Sequence, residues 1–452
     1  MVATFTGLVG SFGDLGLSSA TIQRAEVSHK QISTLFWINV GVSLLFALVI
    51  AALAPGVAWF YHEPRLTGIT LASAAAMVFG GVTAQHYALL ARQMRFGAMA
   101  LVQTLPQLAG AIVGVGLAIA GWGYWSLVIM GIVGAMGTAL VAWLASGWRP
   151  GLPSRHSGVG SMLAFGGHLT GFNLLNYLTR NGDNILIGRF LGSAPLGIYA
   201  KAYGLLMFPV QQINAPLNGV VLPALSRLQG KPDEFRRYFL RAVEVLAFIG
   251  MPIIIFSFAD ARVLVLAVLG PKWLGAVEIF RLLAPAALVG TVNVAPVWIF
   301  SSLGRTDRQF LWGAVSTPII LAGFLVGLRW GAAGVAASFS ITFGISFLLL
   351  VFDACRHSPV RLRNLAAVLL LPFCMSALAA GTTIAIGLSA HFSAVPGFVC
   401  DAALFAATYT ALALVFPNGR GMLRSIFAGP GFAWQRPLFA KATLAPRDPD
   451  AK

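Results

Sequence analysis

Charge is scarce in this sequence. Asp, Glu, Lys and Arg make up only 10% of its 452 residues, against roughly 25% in soluble globular chains. That scarcity excludes a water-soluble enzyme or binding module with an ionic surface. Acids are scarcer than bases, 14 against 30, for a net charge of +16. A nucleic-acid domain would gather such bases on one soluble face, whereas these lie between apolar runs, so no nucleic acid is expected as a partner. Cysteine is nearly absent: Cys355, Cys374 and Cys400 are scattered, which leaves no metal or redox spacing. A Gly-rich phosphate loop with its Lys is missing as well, and with it any sign of direct ATP drive. The start, Met1 to Gly10, has neither a basic region nor a small-residue cleavage pattern, so it reads as the later part of a span rather than a signal peptide. No cofactor is expected.

What is there is apolar. Hydrophobic residues account for 58% of the chain, in runs near the length of about 20 residues that a helix needs to cross a bilayer. The runs fall at about 1–20, 33–59, 69–90, 98–120, 122–144, 160–190, 196–222, 240–258, 278–303, 309–328, 330–352, 365–388 and 396–416. They do not alternate, which excludes a transmembrane barrel and leaves a helix bundle. The fold class is therefore an all-α polytopic membrane protein with about thirteen transmembrane helices. Asp260 to Trp273 carries charges within an apolar pattern and reads as interfacial.

Lys and Arg fall in alternate connections. One side holds Arg24 and Lys30, Arg92 and Arg95, Arg149 and Arg155, the cluster from Arg227 to Arg241, Arg305 and Arg308, Arg356 to Arg363, and the tail from Arg420 to Lys452. The other has little beyond Arg65, Lys272 and Arg329. The positive-inside rule makes the first side cytoplasmic and puts the start of this chain outside. Ala20 to Arg24, followed by a polar turn and a span, is echoed by Ala224 to Arg227. Parallel repeats of this kind are common in transporters. The organisation is read as an N-terminal lobe over 1–150 with five of six helices, a six-helix lobe over 155–353, two extra helices over 360–418 and a basic tail over 419–452.

The stretches Ser11-Phe-Gly-Asp-Leu-Gly-Leu-Ser-Ser-Ala-Thr-Ile-Gln-Arg24, Arg180-Asn-Gly-Asp-Asn-Ile-Leu-Ile-Gly-Arg-Phe-Leu-Gly192, Leu196-Gly-Ile-Tyr-Ala-Lys-Ala-Tyr203 and Leu222-Pro-Ala-Leu-Ser-Arg227 closely resemble the polysaccharide flippases of the colanic-acid and exopolysaccharide exporter type. Their superfamily also holds the multidrug and toxin extrusion transporters and the peptidoglycan-precursor lipid flippase. The resemblance implies two pseudo-symmetric six-helix lobes around a cavity plus two C-terminal helices, alternating access, and a polyprenyl-pyrophosphate-linked oligosaccharide as cargo. It implies membrane lipids and polysaccharide polymerase or co-polymerase machinery as partners, a bacterial inner-membrane location, and a first helix missing from this start. A multidrug or metabolite antiporter of the same superfamily is the competing reading, though the few intramembrane acids disfavour it. A membrane glycan ligase or polymerase would need a long external segment with a catalytic cluster, and no connection carries one.

Four polar residues, Asn173, Asn176, Arg180 and Asp183, are spaced i, i+3, i+7 and i+10, on one helix face. In a span such groups must line a cavity or find partners. Asn173 and Asn176 suit sugar hydroxyls, Arg180 a pyrophosphate and Asp183 a protonatable neighbour; equally, Arg180 and Asp183 suit a structural ion pair. Gln211, Asn214 and Asn218 share a face of the next helix, with Pro209, Pro216 and Pro223 at intervals of seven. They suggest a bent cavity-lining helix or tolerated packing kinks. Arg24 and Arg227 sit at equivalent span ends, where a guanidinium fork suits phosphate capture and positive-inside anchoring serves as well. Arg189 and Lys201 are weaker candidates of the same kind. His86 and His168 lie within spans, where helix-to-helix hydrogen bonding competes with proton coupling.

Overall fold

The computed structural model describes residues 18, 21, 27–154, 181–387 and 393–427. Among these residues all regular structure is helical. Long apolar runs require this, because a backbone in lipid has no water to bond and a helix satisfies its own N–H and C=O groups. Packing divides the chain into two compact units, Met1–Ser193 and Ala194–Lys452.

The first unit contains α1 (His29–Tyr61), α2 (Leu66–Arg92), α3 (Phe96–Ile119) and α4 (Trp125–Ser146). Ser28 and Gln31 start α1 with a capping box: Ser28 Oγ accepts from the Gln31 N–H at 3.3 Å and Gln31 Oε1 from the Ser28 N–H at 2.9 Å. The helix ends at His62, whose left-handed backbone (φ 54°) turns its N–H back to the Ala58 and Trp59 carbonyls. Lipid gives helices no hydrophobic reason to associate, so small residues that allow close approach decide the pairing. A Cβ on Gly81 of α2 would strike Ser43 Oγ and lie 2.8 Å from the Asn39 carbonyl of α1. One on Gly110 of α3 would lie 2.8 Å from the Met130 carbonyl of α4. The outward faces remain apolar: Leu48, Ile112, Ile119 and Leu144 are exposed, and only 17% of the apolar window of α4 is buried. Such a surface suits lipid and not water. After α4 the chain is strapped back along α1, with the Gly151 N–H on Ser33 Oγ at 3.0 Å and the Trp37 indole N–H on the Gly151 carbonyl at 2.9 Å.

The second unit holds α5 (Ser193–Arg227), α6 (Pro232–Ala259), the short α7 (Ala261–Val268), α8 (Ala276–Val292), α9 (Val294–Ser302), α10 (Thr306–Gly327), α11 (Gly331–Arg356), α12 (Leu362–Ile386), α13 (Ala394–Val415) and α14 (Pro417–Phe427). Its core packs Leu225 of α5, Phe235, Phe239 and Val243 of α6, Trp298 and Phe300 of α9 and Val351 of α11. A second cluster joins Phe248 of α6 to Met375 of α12 and to Phe405 and Tyr409 of α13, where the Tyr409 hydroxyl donates to the Phe248 carbonyl at 2.9 Å.

Nine stretches among the described residues are long and apolar enough to cross a membrane. The sequence leads one to expect about thirteen. Of the run at 1–20 only Ser18 is described, and of the run at 160–190 only the helical part 181–190. α5 is long enough but is diluted by Lys201, Gln211, Gln212, Asn214 and Asn218. Asp307–Arg356 counts once although it is α10 and α11 joined by the turn Leu328–Trp330. This is a multi-pass membrane protein. The run at 278–303 proves to be two helices, α8 and α9, broken at Asn293; Pro296 lacks the N–H that would bond the Val292 carbonyl. Asp260 to Trp273 forms α7 and one 3-10 turn, both too short to span.

Candidate functional site

α5 runs as one helix through Pro209, Pro216 and Pro223, and each proline frees the carbonyl four residues back, at Leu205, Gln212 and Gly219. Two of its three polar candidates, Asn214 and Asn218, make side-chain contacts within this unit. The Asn214 amide donates to the Gly290 carbonyl of α8 at 3.2 Å, and its Oδ1 is buried without a partner among the described residues. Asn218 Oδ1 accepts from the indole N–H of the buried Trp298 at 2.6 Å. The two amides thus bracket the α8–α9 break; Asn214 is half-buried, and Asn218 and Gln211 are exposed. Trp298 carried no signal in the sequence, because an apolar run shows nothing of where an indole N–H will point.

Of the four-residue stripe, Asn173, Asn176 and Arg180 lie outside the described residues, as do Arg24 and His168. Asp183 is buried, and its Oδ1 accepts from the Asn184 N–H at 2.7 Å. Arg189 donates to His62 Nε2 at 2.7 Å, which fixes that imidazole as the Nδ1–H tautomer. Its guanidinium also lies 5.3 Å from the Phe60 ring centroid. These contacts tie the helical stretch 181–190 to the end of α1. Lys201 stands 6.0 Å over the Trp273 ring, and Arg227 is exposed at the last turn of α5.

The first unit has polar groups that periodicity alone did not single out. Asn39 is fully buried on α1 with both side-chain atoms unpartnered among the described residues. Gln85 of α2 is fully buried too; its Oε1 accepts from Thr21 Oγ1 at 2.9 Å while its Nε2 has no partner among the described residues. Next to it His86 Nδ1 meets Ser146 Oγ at 2.8 Å inside a cage of Phe36, Trp143 and Trp148. Unmet amide donors and acceptors within apolar helices suit hydroxyl-rich or water-bearing ligands. The signal was present in the sequence, since Asn39, Gln85 and His86 are polar residues inside spans.

In the second unit a cavity of about 450 Å³ opens between α6, α12 and α14, lined by Arg241, Glu244, Phe248, Leu371, Pro372 and Pro417. Arg241 and Glu244 pair there at 2.7 Å, so the two charges on this wall offset each other.

The profile of the family described as polysaccharide biosynthesis protein matches residues 1–278. The chain belongs to that family. Among relatives in this family's company, the lipopolysaccharide biosynthesis protein WzxC of Escherichia coli K12 is 26% identical over 76% of this chain and 71% of its own length. The succinoglycan biosynthesis transport protein ExoT of Rhizobium meliloti 1021 is 24% identical over 69% of this chain and 63% of its own. Among solved structures the fold is similar to the lipid II flippase MurJ in its inward closed conformation, with a TM-score of 0.69, 12% identity and coverage of 94% of this chain and 92% of that one. This member of the polysaccharide biosynthesis family therefore has the fold of a membrane flippase.

Proposed function

We propose that the chain is a transporter that moves polyprenyl-pyrophosphate-linked oligosaccharide repeat units across the bacterial inner membrane by alternating access, in exopolysaccharide or lipopolysaccharide biosynthesis. The observation that carries this reading is the conjunction of membership in the polysaccharide biosynthesis family with a fold like that of a lipid II flippase. The transport protein of succinoglycan biosynthesis among the relatives supports it. The excess of bases over acids, 30 to 14, suits an anionic pyrophosphate cargo. In this reading residues 1–150 and 155–353 act as the two lobes and 360–418 as an added helix pair, and the protein acts without covalent chemistry of its own.

The polar faces supply the contacts. Asn173, Asn176, Asn214 and Asn218 meet sugar hydroxyls, and Arg180 holds the pyrophosphate with Asp183 beside it. Arg24 and Arg227 collect it at the cytoplasmic side. The test reconstitutes the protein in vesicles with a fluorescent polyprenyl-pyrophosphate oligosaccharide and follows its appearance on the far leaflet. Wild type is expected to move it, and Arg180→Ala to lose at least about tenfold of the flux while inserting normally. Absence of wild-type flux overturns the transport reading; undiminished flux in Arg180→Ala overturns the role of that arginine alone.

The Lys and Arg asymmetry supports a cytoplasmic tail after Phe416. A fluorescent protein that matures only in the cytoplasm, fused after Lys452, should glow, and a phosphatase fused there should be inactive. The reverse pattern inverts the orientation.

A further inference from the structure

A cavity of about 440 Å³ opens where α9 turns into α10 and α11 hands over to α12, lined by Leu303, Arg305, Arg356, His357, Ser358 and Pro359. Both connections that form it are fixed locally. Gly304 takes a left-handed backbone (φ 71°) that lets the first of them reverse, and Val360, at the end of the second, is buried in the core cluster with Trp298 and Phe300. Ser358 Oγ accepts from the Val360 N–H at 3.3 Å, which leaves its own O–H to donate. His357 is held against α11, with Nδ1 2.9 Å from the Asp353 carbonyl.

Arg305 and Arg356 make no ion pair among the described residues, and neither do Arg361 and Arg363 at the start of α12; all four are exposed. The acids on these helix ends do not offset them. Asp353 is taken up by Arg308 at 3.3 Å and by the Trp312 indole at 2.8 Å, and Asp307 on the first turn of α10 pairs with no arginine. The cavity beside α6 differs, because Arg241 and Glu244 offset each other there. Positive-inside anchoring asks only that arginines stand in the connections. It does not require two arginines and a serine hydroxyl around one cavity.

We propose that this cavity binds the phosphate of an anionic phospholipid, with Arg305 and Arg356 as its charge partners and Ser358 as a hydroxyl donor. Guanidinium forks match phosphate oxygens two at a time, and basic pockets between spans on the cytoplasmic side suit anionic headgroups. The Lys and Arg asymmetry assigns these two connections to that side. A lipid fits better than free phosphate because apolar surface continues from the cavity. Phe352 lies one turn before Arg356 on the same helix face and is 58% exposed, while Phe310 and Leu362 near the starts of α10 and α12 are exposed as well. Acyl chains can run along that surface while the headgroup bridges the two connections. The site does not rest on the transport reading and holds whatever the cargo is.

The experiment titrates the purified full chain in detergent with dioleoylphosphatidylglycerol or dioleoylphosphatidylcholine and counts bound lipid by native mass spectrometry. Wild type is expected to bind the anionic lipid at least about tenfold more tightly than the zwitterionic one. Arg305→Gln with Arg356→Gln should lose about tenfold of that affinity, and Arg305→Lys with Arg356→Lys, which keeps the charge and gives up the fork, should fall between. The control, Arg95→Gln with Arg237→Gln, removes two exposed arginines away from the cavity and should stay within about twofold of wild type. Equal affinity for the two lipids overturns the proposal, and so does an equal loss in the control and the Arg305 and Arg356 glutamine pair. A rise in Tm with inorganic phosphate that matches the rise with phosphatidylglycerol at the same concentration, and that vanishes in the glutamine pair, assigns the cavity to free phosphate and overturns the lipid.

Discussion

Gly334→Val is expected to leave little correctly folded protein. A Cβ at position 334 would strike the Gly327 carbonyl oxygen and come within 2.6 Å of Trp330 Cβ and 3.2 Å of the Gly327 carbonyl carbon. The same crowding holds from the other side, where a Cβ on Gly327 would meet Ser338 Oγ and approach the Gly334 carbonyl to 2.5 Å. These neighbours are largely backbone, so no flexible side chain can swing away. Overpacking a core costs about 1–3 kcal/mol when side chains can adjust, and this contact falls at the top of that range or beyond it. α10 and α11 are held together here by small residues, as helices in lipid often are. The measurement is the monodisperse fraction and Tm of the detergent-extracted protein. Gly344→Val on α11 is the control: a Cβ there meets nothing within 4 Å, and that variant should behave as wild type. Equal behaviour of the two variants would show that the close approach is unimportant.

Asp353→Ala is expected to be the most damaging single loss of a polar contact. Asp353 closes the opposite end of the same hairpin. Its Oδ2 accepts from the Trp312 indole N–H at 2.8 Å, and its Oδ1 accepts from Arg308 at 3.3 Å and lies 3.1 Å from His357 Nδ1. The Asp353 side chain is 13% exposed and Arg308 39%, so removing the carboxylate strands chiefly the indole N–H, while water takes up the guanidinium. Leaving a half-buried indole N–H unmet and losing a solvent-screened ion pair costs about 1–3 kcal/mol. Asp353→Asn keeps an acceptor for Trp312 and gives up the charge, so it should lose about half as much. Unfolding in detergent reads both variants. A Tm for Asp353→Ala equal to wild type would remove the carboxylate from the account of this hairpin.

Much of the architecture was legible because the bilayer imposes a local rule. The apolar run at 33–59 became His29–Tyr61, and those at 98–120 and 396–416 became Phe96–Ile119 and Ala394–Val415. Where the two differ, solvent explains it. The run beginning at 240 starts eight residues late because Asp233, Glu234, Arg236 and Arg237 are polar, yet Pro232 at the first turn and the acids beside it suit a helix start. The break at Asn293 was also written locally, in Pro296, but an apolar composition concealed it.

The polar groups were another matter. Asn214 and Asn218 were recognisable as one face of α5, but nothing in that stretch shows that Asn218 meets Trp298, 80 residues away, or that Asn214 meets the Gly290 carbonyl. Arg189 was singled out as a phosphate contact, and the structure shows it bonded to His62 and stacked on Phe60.

The sequence by itself determined that this chain is a bundle of lipid-facing helices and which family its motifs resemble. Those properties follow from composition and periodicity summed over whole helices, where many small preferences agree. Only the tertiary structure decided the pairings: Asp353 with Arg308 and Trp312, Gly327 against Gly334, and Asn218 with Trp298. Each depends on the rotation and depth of two packed helices, set by side-chain fit along their full length, and no local pattern of residues encodes that fit.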